Sequence, residues 1–345
     1  MQRYLHEAGY TTALLGKYLN KWPLKDPPPY FDRFAMGKHY QDVRFNVDGR
    51  MKRITKYVPD YLARKAVKLL RQLEANDEKP WFMMLTPSTP HLPALPAPRH
   101  ENVRLPRWNG NPATNEKDLS DKPPMLYRRG PRDQAKPKRG IYDRMSRSLL
   151  AGDDLVDRVY QTMSALNESA NTLAFFVSDN GFSLGEHGLI GKRKPYPVAS
   201  RVPLYMRWPN GSVAKGIVDD RLVANIDVLP TVLGASELSP TAGHVLDGRS
   251  LRSTQERSRM LLEDFSSTRD HSWASLITDD EQYTEYYGDG GTLAFQEYYD
   301  VLSDPWRLTN TLGDDDPLND PNPLTIQGLS DQLEADRECA GANCP

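Results

Sequence analysis

Three short apolar runs set the limits on this chain: TTALLG at 11–16, WFMML at 81–85 and LAFFV at 173–177. Each has the length and the β-branched or aromatic content of a buried strand, and each is far too short to cross a bilayer. Between them lie two amphipathic helical stretches. In PDYLARKAVKLLRQLE, Asp60 is placed to cap the helix, and Leu62, Ala66, Leu69, Leu70 and Leu73 share one face. In SRSLLAGDDLVDRVYQTMSALNE, Leu155, Val159, Met163 and Leu166 recur at helical spacing. RVPLYMRWP reads as a further strand, and RLVANIDVLPTVLGASEL as a strand or turn leading into a helix. Strands alternating with helices imply an α/β fold, a mainly parallel sheet sandwiched by helices.

The opening QRYLHEAG reads as the end of a helix closed by Gly9, feeding directly into a core strand. A domain rarely starts so, and the sheet is expected to be incomplete at its N-terminus. MQRYLHEAGYTT shows no apolar core of a signal peptide. After about residue 236, RMLLEDF, HSWASLITDD, EQYTEYYG and EYYDVLSD are short, aromatic and alternating. They predict a smaller α+β subdomain with an antiparallel sheet, giving domains at 1–235 and 236–345. A chain of 345 residues has room for both.

Mean hydropathy is low, −0.66, and the deficit is expected in polar loops such as 98–142. RRGPRDQAKPKR within that loop reads as a solvated face. A net charge of −2 gives no field that points to nucleic acid. The only cysteines are Cys339 and Cys344. That excludes a zinc cluster or a cysteine nucleophile in the body of the chain. The pair forms either a small disulfide loop in an oxidising compartment or two free thiols.

In open parallel sheets, ligands bind beyond the carboxyl ends of the strands. Lys17 follows TTALLG, His91 follows WFMML, Asp179 and Asn180 follow LAFFVS, and Lys192 lies one loop further on. Asp179 and Asn180 are hard oxygen donors suited to calcium or magnesium, though two are too few for calcium's six to eight. Lysines beside such a site bind oxyanions as point charges. Taken singly, SDNG is a turn, each lysine a surface residue and His91 a loop histidine. GEHG at 185–188 is not the HExxH zinc pattern, so Glu186 and His187 are expected merely to rim the cleft.

Together these segments resemble the sulfatase family. GYTTALLGKYLNKW from Gly9 is similar to its second signature, FMMLTPSTPHLP to its histidine segment, and SDNG with GEHGLIGKRKPY and RVPLYMRWP to its metal-and-lysine segment. NIDVLPTVL, LDGRSL and EYYDVLSDPWRLTN resemble later elements, and GKYLN with CAGANC is similar to the N-acetylglucosamine-6-sulfatase branch. The resemblance implies an alkaline-phosphatase-like fold. It implies that Asp179 and Asn180 hold a divalent cation, usually calcium (Ca2+), and that Lys17, His91 and Lys192 bind and act on the sulfate. The implied reaction is hydrolysis of a sulfate ester on a sulfated carbohydrate or glycosaminoglycan by a formylglycine hydrate, in an extracellular, periplasmic or lysosomal compartment.

Two positions depart from the pattern. Leu19 stands where many sulfatases have His, and Pro197 where many have Glu. The family's nucleophile motif, Cys/Ser-x-Pro-x-Arg, and its paired aspartates are expected upstream of Gly9. Neither cysteine lies in such a motif, and no Ser-x-Pro/Ala-x-Arg substitute is expected in the rest of the chain. The 345 residues are therefore expected to be inactive alone. The alternatives are a non-catalytic protein that binds sulfated glycans and a phosphatase or phosphonate hydrolase of the same superfamily.

Overall fold

A computed structural model describes residues 1–75, 77–127, 136–211, 213, 215–265 and 272–345. Helix α1 (Gln2–Glu7) leads into strand β1 (Thr11–Gly16). The Gly9 N–H donates to the His6 carbonyl and the Tyr10 N–H to the Leu5 carbonyl, both at 3.0 Å. This pair of bonds closes a helix through a left-handed residue, as the sequence implied for Gly9.

Strand β1 lies between β2 (Arg33–Met36) and β5 (Trp81–Thr86), parallel to both. Strands β3 (Val43–Val47) and β4 (Arg50–Ile54) extend the sheet beyond β2 in the antiparallel sense, giving the order β4-β3-β2-β1-β5. The central sheet is therefore mixed, and its parallel part is β2-β1-β5. The reason is local. Asp48 and Gly49 both have positive φ (49° and 83°) and join Val47 to Arg50 in a two-residue turn, the turn that Asp-Gly favours in a tight hairpin. Among the described residues, the outer edge of β5 has no strand beside it.

Helix α2 (Val58–Glu74) covers this sheet with Leu62, Ala66 and Val58, which pack with Leu15, Phe45, Val47 and Leu155 in one core. Asp60 does not cap it, because Tyr57 occupies the cap position. Asp60 sits in the first turn, where a carboxylate favours the positive end of the helix dipole, and receives two bonds of 2.9 Å from Arg99. Helix α3 (Arg139–Ala165) packs beside α2 through Leu155. Among its described residues, the polar stretch before α3 holds short turns at Pro98–His100, Pro112–Thr114 and Pro124–Leu126. Of RRGPRDQAKPKR, residues 128–135 lie outside the described residues.

Strand β6 (Ala174–Val177) is followed by a small hairpin of β7 (Ser183–Leu184) and β8 (Ile190–Gly191), then α4 (Pro197–Ser200) and β9 (Leu204–Arg207). Strands β6 and β9 pair antiparallel as their own two-stranded sheet. NIDVLPTVL is a turn and helix α5 (Val228–Ala235). The C-terminal sheet is antiparallel as expected: β10 (Met260–Asp264), β11 (Ser272–Ile277), β12 (Glu281–Tyr287) and β13 (Leu293–Asp300). Helix α6 (Pro323–Arg337) packs on it through Leu333, and Cys339 is bonded to Cys344.

Asn322 caps α6, its side chain accepting from the Leu324 N–H at 2.9 Å. Asn322→Ala is expected to cost about 1 kcal/mol, read as a shift in urea midpoint with an unchanged slope.

Candidate functional site

Two groups of polar side chains form at strand ends. The first is set by β1 and β5. Gly16 ends β1 at φ 121°, and a Cβ there would lie 2.1 Å from the Thr86 carbonyl oxygen. Only glycine allows that approach. It lets the Lys17 N–H donate to the Thr86 carbonyl (2.9 Å), while the Thr86 hydroxyl donates to the Lys17 carbonyl (2.6 Å). His91 lies five residues past the end of β5. Its N–H donates to the Ser88 carbonyl (2.7 Å), and its own carbonyl accepts from the buried Tyr40 hydroxyl (2.5 Å). The imidazole is exposed, with Nδ1 2.7 Å from the Leu92 carbonyl. A carbonyl can only accept, so Nδ1 carries the proton of the neutral ring and Nε2 is its acceptor.

The second group follows β6. The Ser178 hydroxyl donates to the Asn180 carbonyl (2.9 Å), and Asn225 Nδ2 donates to the Ser178 carbonyl (3.0 Å). The Gly181 and Phe182 N–H groups dock on the Ala199 and Val198 carbonyls. Asn180 Nδ2 donates to the Gly181 carbonyl (2.8 Å), which leaves Oδ1 as acceptor for Lys192 Nζ at 3.2 Å. Asp179 beside it is exposed. Of the five residues singled out from the sequence, Lys17 and His91 therefore leave the same end of adjacent parallel strands, and Asn180 and Lys192 touch. Among the described residues, no hydrogen bond or ion pair joins one group to the other.

Asp179 and Asn180 offer two adjacent hard oxygens, the donor type calcium and magnesium take. Among the described residues, no group of three or more His, Cys, Asp or Glu is placed to hold a metal. The pair fits part of a cation's shell and no more.

Glu186 and His187 do not rim a cleft. They are 3% and 1% exposed. Glu186 accepts from Asn111 Nδ2 (2.9 Å) and the Leu184 N–H (2.5 Å). His187 Nδ1 bonds Glu116 Oε2 (2.8 Å), and its ring packs 4.2 Å from that of Tyr196. Glu116 also faces Lys122 Nζ (3.2 Å), which is fully buried and donates to Asp121 (2.7 Å) and to the Leu308 carbonyl (2.7 Å). Burial of these charges is met by pairing, a structural role that a polar stretch of sequence does not announce.

The absence of a serine substitute also needs correction. Ser303-Asp304-Pro305-Trp306-Arg307 fits Ser-x-Pro-x-Arg. It is the turn that leaves β13. The Ser303 N–H donates to Asp300 Oδ1 (3.0 Å), and Arg307 is buried with its Nε on Gln282 Oε1 (2.9 Å). It belongs to the closing segment of the C-terminal sheet rather than to either strand-end group.

Comparison with known proteins gives the same reading. The family model described as Sulfatase matches residues 1–238, and that described as N-sulphoglucosamine sulphohydrolase, C-terminal, matches 185–320. The chain is 28% identical over 267 residues to a putative extracellular sulfatase of Caenorhabditis elegans, covering 72% of this chain and 36% of that protein. It is 29% identical over 306 residues to human N-acetylglucosamine-6-sulfatase, covering 82% and 51%. The chain thus spans about a third to a half of these relatives' length. A solved protein in complex with its substrate, D-glucosamine-2-N,6-O-disulfate, superposes with a TM-score of 0.71 at 23% identity, covering 96% of this chain and 80% of that one. The crystal structure of a putative sulfatase from Bacteroides fragilis does so with 0.73 at 18% identity, covering 96% and 75%. Matched by the Sulfatase family model over residues 1–238, more than half its length, the chain belongs to the sulfatase family.

Proposed function

We propose that the chain supplies the sulfate-facing and part of the cation-facing side of a hydrolase for sulfate esters on a sulfated sugar or glycosaminoglycan, of the glucosamine-6-sulfate type. Lys17 and Lys192 hold the sulfate oxygens by charge, and their charge counts most where negative charge grows in the transition state. His91 presents Nε2 to exchange a proton with the departing alcohol oxygen. Asp179 and Asn180 contribute two oxygens to a divalent cation, calcium by family habit. When present, a formylglycine hydrate supplies the nucleophilic oxygen and the cation supplies Lewis-acid charge.

The observation that carries this is the Lys192 ammonium on the Asn180 carboxamide at the end of β6, beside an exposed Asp179. The sugar class is suggested by relatives named N-acetylglucosamine-6-sulfatase and by the disulfated glucosamine bound to a fold neighbour. An oxidising compartment agrees with the Cys339–Cys344 bond and with relatives named extracellular. Among the described residues, no helix is long and apolar enough to cross a membrane.

The 345-residue protein is expected to bind glucosamine-6-sulfate saturably, with the amine signals of Lys17 and Lys192 moving in NMR, and not to hydrolyse an aryl sulfate. Equal affinity for unsulfated glucosamine would sink the sulfate assignment. Turnover at rates ordinary for enzymes would overturn the expected inactivity. It would turn attention to whether the Ser303 side chain has lost two hydrogens to become formylglycine, which peptide mass spectrometry reads.

A further inference from the structure

Residues 193–196 take contacts from three different strands of the C-terminal sheet. Arg193 has φ 70°, a left-handed conformation that a side chain of its size rarely adopts without support. The support is Asp264 at the end of β10, whose two oxygens accept from Arg193 Nε and Nη2 at 2.8–3.0 Å. The Pro195 carbonyl accepts from Gln282 Nε2 on β12 at 2.9 Å. Gln282 is 1% exposed, and its other end accepts from Arg307 Nε at 2.9 Å. Since Arg307 can only donate and the Pro195 carbonyl can only accept, that amide has one orientation. The Tyr196 hydroxyl donates to Glu297 Oε1 on β13 at 2.7 Å. Glu297 is fully buried and takes two further hydroxyls, from Tyr299 (2.7 Å) and Tyr286 (2.6 Å).

We propose that the C-terminal sheet is the positioning platform of Lys192, with Asp264, Gln282 and Glu297 fixing residues 193–196 and so setting the direction of the Lys192 ammonium toward Asn180. Each contact falls within four residues of Lys192, on its C-terminal side, and each comes from a different strand, so the segment can neither slide nor rotate without breaking one. The buried members are fully satisfied, which makes the arrangement rigid rather than merely sticky. Burial, then the neighbouring Glu297, push the Tyr196 hydroxyl well above its ordinary pKa. It therefore stays a donor over the whole working pH range. A lysine on a flexible four-carbon stem gains most from such support, because its stem has no geometric preference of its own. The importance of this for sulfate rests on the functional reading above, whereas the placement of the ammonium does not.

The test separates the two. Limited acylation of amines with acetic anhydride, read peptide by peptide, reports the exposure of each lysine without any ligand. Tyr196→Phe removes one hydroxyl contact and no volume of consequence, and Asp264→Ala releases Arg193 at the rim. Both are expected to raise the acylation rate of Lys192 several-fold while that of Lys17 is unchanged. Tyr286→Phe removes the bond to the other Glu297 oxygen, Oε2, and keeps the Tyr196 bond to Oε1; it is expected to leave Lys192 at the wild-type rate. The fully buried Lys122 reports the fold and stays unmodified in all three. Equal Lys192 rates in wild type, Tyr196→Phe and Asp264→Ala overturn the platform. So does an equal rise in Tyr286→Phe, which would mark Glu297 as a general stabiliser. Raised Lys192 reactivity with unchanged affinity for glucosamine-6-sulfate supports the platform and counts against Lys192 as a sulfate ligand.

Discussion

Replacing Arg257 with methionine is expected to lower stability by about 3–5 kcal/mol, the cost of breaking a buried ion pair from one side. Arg257 and Asp227 are 3% and 1% exposed in their side chains and meet through two bonds of 2.8 Å. Asp227 also accepts from the Ala224 N–H (2.7 Å) and the Arg249 N–H (2.8 Å), so one carboxylate ties the turn before α5 to the LDGRSL stretch. Methionine fills much of the volume, so the loss is that of a charge left in a dry site.

The pH dependence follows from the same carboxylate. Burial alone would raise the Asp227 pKa, but the Arg257 guanidinium and the two backbone N–H groups outweigh it and hold it below the ordinary value. A depressed folded pKa contributes stability that is fully present above the unfolded value, about 3.9. That contribution is lost as pH falls through the folded value. The gap between wild type and Arg257→Met should therefore be wide and flat near neutrality and narrow below about pH 4, where protonation relieves the stranded charge. Urea midpoints measured down through that range check it. A gap that stays constant into acid would mean the cost lies in packing, not charge.

In a form of the protein that hydrolyses a sulfate ester, Lys192→Ala is expected to lower kcat by about 10²–10³-fold, the usual result of removing one charge donor aimed at a developing oxyanion. KM should move less, because the contact matters most at the transition state. Lys192→Arg keeps the charge but carries a planar fork in place of a compact ammonium. It should restore binding more than turnover. Steady-state kinetics on a sulfated monosaccharide distinguish these outcomes, and a variant that changes only KM would assign Lys192 to ground-state binding.

The sequence disclosed more about where strands end than about how they pair. Lys17, His91 and Asn180 could be placed at strand ends because apolar runs stop abruptly before them. The mixed character of the central sheet was equally readable in principle. Asp48-Gly49 between VRFNV and RMKRI is a strong hairpin signal, but the basic exposed strand β4 lacks the apolar pattern that draws attention. Asp60 looked like a cap because it opens an apolar periodicity, yet Val58 and Pro59 already belong to the helix. Glu116, Lys122 and His187 were illegible for another reason. A buried charge differs from a solvated one only in its partners, and these stand 6 to 71 residues apart in the chain. The platform under Lys192 is hidden in the same way, since Tyr196 and Glu297 are joined across 101 residues.

The unpaired outer edge of β5 bears on how the protein behaves in the tube. Trp81, Phe82, Met83, Met84 and Leu85 are all only half-buried on that strand, and β6 and β9 expose Phe176, Val177 and Tyr205. Among the described residues no strand pairs with that edge; an apolar strand edge of this kind is a template for another strand, and β5 itself carries none of the lysines, prolines or bulges that usually blunt one. The small net charge of −2 offers little repulsion to oppose pairing at this edge. Self-association that grows with concentration, and that a soluble fusion partner close to β5 suppresses, is the expected result in sedimentation.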